Sequence, residues 1–287
     1  MPKRASVILK KSKSNNLSSW LLKDRTINPL LNQIKLRFPI ETRQYFAGFW
    51  DGDGYQGLRY HKKQSKSKTL HCQLELAEKG CEPVLELSKI FDLTVTYKKP
   101  RHKNHQPSYA VHLSGPKGKM FLLLIQPYLI EKHEQVYKIL LEMGCPEKML
   151  ITEKTFSWPY LAGYADAEGN YTMKLHHYKQ KHGRVGSTYK FRFMLTSNDF
   201  KSLTFIKNKI IEKGFKFIKD YIKRYKNVSP REHRHPERWK PTLDIQLGGG
   251  SKELARFYKN FYQYALIEKK REVINKTIEY SHLIFRQ

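Results

Sequence analysis

Acidic residues are scarce in this chain. There are 26 Asp and Glu against 54 Lys and Arg, a formal net charge of +28. An excess of that size calls for a polyanionic partner, either a nucleic acid or an anionic membrane surface. Long apolar runs are also missing. The longest, Met120 to Ile125, is far short of the roughly 20 residues that cross a bilayer, and Met1-Pro2-Lys3-Arg4 begins no apolar signal stretch. The expectation is a protein with no membrane partner that stays inside the cell. Cysteine is sparse: Cys72, Cys81 and Cys145 form no CxxC pair, which argues against a disulfide framework or a zinc site and for a reducing compartment. Aromatic residues are not lacking. They make up 13% of the chain, and a hydrophobic content of 39% supplies the core that a disordered chain of this charge would lack.

The 287 residues allow one large domain or two modest ones. Up to residue 150 the charge is +13 and beyond it +15, so neither half is a basic tail and both are expected to touch the same polyanion. The evenness prompts a search for duplication, which the chain contains. Tyr45-Phe46-Ala47-Gly48-Phe49-Trp50-Asp51-Gly52-Asp53-Gly54 returns as Tyr160-Leu161-Ala162-Gly163-Tyr164-Ala165-Asp166-Ala167-Glu168-Gly169. Tyr109 to Gly115 is echoed by Leu243 to Gly249, and Leu129-Ile130-Glu131-Lys132 by Leu266-Ile267-Glu268-Lys269.

The expected organisation is a basic arm (1–40), a first unit (41–145), a linker (146–157) and a second unit (158–287). Each unit reads helix, hairpin, helix, hairpin, helix, the last being mainly helical over Lys119 to Glu142 in the first copy. A basic loop at Lys62 to Lys68 and a second basic excursion at Lys223 to Pro241 interrupt the pattern. A helix ending at Gly54 places Asp51 and Asp53 at its carboxyl end, where the helix dipole disfavours negative charge. The small pairs Ala47-Gly48 and Ala162-Gly163 let the two repeated helices approach and bring Asp53 and Glu168 together. Two such carboxylates repel unless a cation or proton neutralises them, and all-oxygen ligands favour Mg²⁺. Asp51 and Asp166 read better as local helix-end hydrogen-bonding groups than as metal ligands.

Both decapeptides resemble the LAGLIDADG motif, and residues 41 to 285 resemble a double-motif, single-chain LAGLIDADG homing endonuclease. Phe46 replaces the first Leu of the motif, and Trp50 and Ala165 stand at its fifth position. The resemblance implies an α+β fold of two pseudo-symmetric αββαββα units, with antiparallel sheets forming a saddle for double-stranded DNA and the motif helices at the central interface. It implies a monomeric, metal-dependent endonuclease of intron-encoded type, cutting a long quasi-palindromic site to leave short 3′ overhangs. Asp53 and Glu168 would hold Mg²⁺, helped by the preceding residues Gly52 and Ala167. Mn²⁺ is expected to substitute, and Ca²⁺ to bind without efficient cleavage. Lys132 and Lys269 are implied near the active site, with Glu78 and Ser197 as water-holding polar groups at strand ends. An organelle or a prokaryotic cytoplasm is the implied location. An intron RNA-binding maturase on the same scaffold is the alternative.

Strand alternation supplies the candidate DNA contacts. With Leu74 and Leu76 inward, Thr69, His71, Gln73 and Glu75 point outward, joined by Tyr55, Gly57, Arg59 and His61 on the neighbouring strand. The counterparts in the second unit are Asn170, Thr172, Lys174 and His176, with Lys190, Arg192 and Met194. In the later strands Ala110, His112, Asp244 and Gln246 are expected outward, and such mixed edges suit major-groove readout.

Overall fold

The structure is a computed structural model that describes residues 34, 36–60, 68–100, 105–179, 185–223, 241–247 and 251–283. The arm up to residue 33, His61 and the basic excursion over 224–240 lie outside the described residues.

Helix α1 (Ile40–Asp53) leads into the hairpin of β1 (Tyr55–Tyr60) and β2 (Lys68–Ala77). Then follow α2 (Glu82–Phe91), the strands β3 (Thr96–Lys98) and β4 (Ser108–Ser114), and helices α3 (Gly115–Ile125) and α4 (His133–Glu142). The second half repeats the order with α5 (Trp158–Glu168), β5 (Gly169–Lys179), β6 (Val185–Ser197), α6 (Phe200–Glu212), β7 (Phe217–Lys223), β8 (Thr242–Leu247), α7 (Ser251–Tyr258) and α8 (Glu268–Leu283). The α+β class expected from the repeat is borne out. Two four-stranded antiparallel sheets have the matching orders β1-β2-β4-β3 and β5-β6-β8-β7.

The registers also match. Tyr55 pairs with Gln73 and Gln73 with His112; in the second sheet Asn170 pairs with Met194 and Met194 with Gln246. This makes Tyr55 equivalent to Asn170, His71 to Arg192 and His112 to Gln246. Leu70, Cys72 and Leu74 of β2 are buried under helices, as are Phe193 and Leu195 of β6. All three cysteines are free thiols.

Tyr45 to Asp51 of α1 and Pro159 to Asp166 of α5 are all buried, the pattern of helices hydrophobic all round and enclosed in a core. A Cβ on Gly48 would lie 1.9 Å from the Tyr160 carbonyl oxygen, and one on Gly163 would lie 1.9 Å from that of Tyr45. The two motif helices therefore touch backbone to backbone, as the small pairs predicted. Around them, Phe38 packs on Phe46, Phe91 and Phe121 in the first half, and Phe257 on Phe193, Phe215 and Phe261 in the second.

The stretch expected to be mainly helical over 119–142 is broken. After α3 a 3₁₀ turn spans Gln126–Tyr128, and α4 starts only at His133. Pro127 has no N–H to continue an α-helix, and beyond the turn the amides of Ile130, Glu131 and Lys132 point to Asp51. The Gln126 side chain pairs with both backbone groups of Ile151, tying the connection between the halves to this turn. Among the described residues no helix is long and apolar enough to cross a membrane.

Candidate active site between the motif helices

Asp51 is buried beneath α4. Its carboxylate accepts hydrogen bonds from the backbone N–H groups of Ile130 (2.7 Å), Glu131 (3.0 Å) and Lys132 (2.8 Å), and from Tyr160 Oη (2.8 Å) across the helix pair. Asp166 repeats this with the N–H groups of Leu266 (2.8 Å) and Ile267 (3.2 Å) and with Tyr45 Oη (2.8 Å). Burial pushes both carboxyls above the usual range, while these donors pull the other way. Asp51 and Asp166 thus anchor the segments that enter α4 and α8, and each does so with a tyrosine from the opposite half.

The anchored segments carry lysines to the carboxyl ends of the motif helices. Lys132 Nζ donates to the carbonyls of Trp50 (2.7 Å), Gly52 (3.3 Å) and Gly54 (2.6 Å). In the second half the corresponding ammonium belongs to Lys270, which donates to Ala165 O (3.0 Å) and Asp166 O. Lys269, the residue expected from the sequence echo, is exposed and lines a cleft with Lys79 and Asn170. The echo is out of register with the backbone. The 3₁₀ turns Gln126–Tyr128 and Tyr262–Tyr264 align Ile130 with Leu266, one position off the letter match. Because α8 begins earlier relative to its turn, the side chain reaching the helix end comes from its third residue.

Asp53 and Glu168 stand at the ends of these helices. A Cβ on Gly52 would lie 2.4 Å from Ala167 Cβ and 3.6 Å from Glu168 Oε1, so the two motif ends are in direct contact. Desolvation raises the pKa of both acids, and the Asp53 charge raises that of Glu168 further, while Lys132 and Lys270 oppose the shift. The lysines are shifted down by burial, with the carboxylates restoring part of their basicity. Two carboxylates and two ammonium groups form one electrostatic cluster, and the lysines supply the positive charge that a helix carboxyl end favours. Among the described residues no group of three or more His, Cys, Asp or Glu is placed to hold a metal. Any cation would rest on these two carboxylates, with further oxygen ligands from main-chain carbonyls, water or a substrate.

Ser197 is buried and donates to Glu131 Oε2 (3.1 Å). Glu78 is exposed beyond the end of β2. The two are not equivalent: Ser197 pairs with Leu243 and Leu76 with Tyr109, so the counterpart of Ser197 is Leu76. Composition and spacing gave no sign of the part played by Glu131, which also accepts from Tyr164 Oη (3.1 Å). Burial and the nearby Asp51 charge push its carboxyl up to about 7.

On the first sheet Tyr55, Gly57, Arg59, Thr69, His71, Gln73, Glu75 and His112 lie on the face away from the buried Leu70, Cys72 and Leu74. Next to Asp53, a groove of about 300 Å³ is lined by Tyr55, Arg59, Gln73 and Glu75. Glu75 accepts from Gln73 and Ser108 (2.8 Å each) and from Lys98, whose hydrogen bond holds its carboxyl below the usual range. On the second sheet Asn170, Thr172, Lys174, His176, Lys190, Arg192 and Gln246 are partly or fully open to solvent. Asp244 departs from the expectation. It is wholly buried and accepts from Thr196 Oγ1 (2.8 Å). Its first-sheet equivalent, Ala110, is buried too. Both sit on the third strand in spatial order, flanked by paired residues on each side, and are covered despite their outward parity.

No protein-family model and no curated protein matches the chain. Solved structures do. The meganuclease I-SmaMI bound to uncleaveable DNA is 14% identical, with a TM-score of 0.56 over 85% of this chain and 90% of that one. The LAGLIDADG meganuclease I-AabMI bound to uncleaved DNA is 13% identical, with a TM-score of 0.55 over 85% and 91%. The I-LtrWI LAGLIDADG homing endonuclease bound to target DNA is 14% identical, with a TM-score of 0.50 over 87% and 92%. At such identities the likeness establishes the fold: this chain has the architecture of the LAGLIDADG meganucleases.

Proposed function

We propose that the protein is a site-specific, divalent-metal-dependent double-strand DNA endonuclease, acting as a monomer whose two halves each address one strand. The carrying observation is the meeting of Asp53 and Glu168 at two helix ends in backbone contact, with Lys132 and Lys270 shared between them. The DNA-bound state of the meganucleases that share the fold supports the substrate class, as does the charge of +28.

The donor set fits a hard divalent cation: two carboxylates, coupled by like charge and partly desolvated, with the Gly52 and Ala167 carbonyls beside them. Such an ion supplies activation of water and neutralisation of charge at the scissile phosphate. The protein's own groups do the rest. The lysines, fixed by main-chain carbonyls, keep positive charge beside the carboxylates, where phosphate charge grows during reaction. Asp51 and Asp166 hold the segments that carry them, so their positions are set before substrate arrives. The two sheets, related by the same pseudo-symmetry, suit a long quasi-palindromic site, and one carboxylate per strand suits staggered cuts with 3′ overhangs.

Asp53→Asn and Glu168→Gln test this. Each keeps shape and removes the negative charge that a divalent ion needs. On a supercoiled plasmid bearing a selected target, with Mg²⁺, both variants should retain binding and lose linearisation, with nicking as the residual product. Linearisation at the parental rate by either variant would remove that acid from the mechanism.

A further inference from the structure

The two sheets carry different chemistry at one equivalent position. On the second, Arg192 Nε donates to Gln246 Oε1 (3.0 Å), tying the guanidinium root and leaving its two terminal amino groups outside that bond. Arg192 is exposed and sits beside Lys190 on β6, across from Thr172. On the first sheet the equivalent residues, His71 and His112, stack on each other with ring centroids 5.3 Å apart at 29°. Burial and the nearby Arg59 charge hold the His71 imidazole below its usual pKa. One sheet offers a rigid, doubly donating cation where the other offers a stacked aromatic pair.

We propose that Arg192, held by Gln246, is a specificity-determining residue that selects guanine at one base pair of the half-site under the second sheet, and that the equivalent base pair under the first sheet carries no guanine requirement. A guanidinium presenting two parallel N–H groups matches the O6 and N7 acceptors of guanine in the major groove and no other base edge there. The tie to Gln246 removes the freedom that an exposed arginine otherwise loses on binding. Stacked imidazoles offer at most a single hydrogen bond each and cannot make the paired contact. A nominally palindromic target would therefore be read unequally.

The inference rests on duplex DNA being the substrate, and its test separates the two claims. Wild type, Arg192→Met, Gln246→Ala and His71→Ala are each used to select binders from a library of randomised duplexes at fixed salt. Wild type should require guanine at one position in one half-site. Arg192→Met should relax that position alone by about 5- to 150-fold, the range for loss of a bidentate base contact. Gln246→Ala should relax the same position by less, and His71→Ala should leave it unchanged. If Arg192→Met weakens binding to every sequence equally, the residue is a phosphate anchor and the inference fails while the endonuclease reading stands. If wild type selects no sequence at all, the endonuclease reading falls and this inference with it.

Discussion

Lys132 and Lys270 carry half-buried ammonium groups that both cap a helix and face the paired acids. Replacing either with Met should slow cleavage about 10²-fold or more while affinity changes little, because the contact strengthens as charge develops on the phosphate. Single-turnover kinetics beside equilibrium binding reads this out, and Lys269→Met should leave the rate near the parental value. The two lysines were unequally readable. Lys132 stands where the repeated letters put it, whereas Lys270 lies one residue beyond the letter match and two beyond the position that the amides bound to Asp166 would give, because α8 starts at Glu268 and presents its third residue to the helix end. Glu131 was not readable at all, since a glutamate entering a charge-laced helix resembles a solvated surface group. Its carboxyl, held at about 7, lies above its unfolded value, so its contribution to stability is complete below about pH 4.5 and is lost as pH rises through 7. Glu131→Gln keeps an oxygen for Tyr164 and Ser197 and removes that ionisation. Relative to this variant, wild type should lose on the order of 2 kcal/mol between pH 5 and 8.5, allowing for partial screening. Chemical denaturation at several pH values measures the difference.

Between elements, the contact of α1 with α5 leaves no room for an added methyl group. Gly48→Ala and Gly163→Ala each drive a methyl group into a carbonyl of the facing helix, which cannot rotate aside. A loss of about 3 kcal/mol or more is expected in thermal or urea unfolding, at the upper end for overpacking. Tyr45→Phe and Tyr160→Phe remove one donor each from a buried aspartate and should cost about 1 to 3 kcal/mol apiece. This contact was the most readable part of the fold, because small residues recurring at matching places in two bulky apolar repeats mark where two backbones meet. The sheet faces were readable on β2, where alternation places Leu70, Cys72 and Leu74 inward. They were misread at Asp244 and Ala110, where the flanking strands of an interior position cover what parity alone would expose. The long final helix was misjudged for a different reason: Pro127 marks a break, but its extent to His133 depends on amides turning to a distant aspartate, an interaction with no local signature.

For the molecule as a whole, positive charge is spread over both halves, so many phosphates should be engaged at once. Raising salt from 50 to 200 mM should weaken DNA binding by about 10³-fold or more, measured by fluorescence anisotropy. A flat response would contradict a nucleic-acid substrate. The order of elements and the twofold plan were readable because the chain states them twice; the basic segments at 1–33 and 224–240 lie outside the described residues. The crossed tyrosines carry one more implication. Tyr45 completes the donors of Asp166, and Tyr160 those of Asp51, so each half finishes a cradle that its own chain leaves incomplete. Produced as separate polypeptides, residues 1–145 and 158–287 should be poorly stable alone and rescue one another when mixed, with nuclease activity as the report of their reunion. A protein written as one gene would then behave as an obligate heterodimer whose tether is a convenience of delivery.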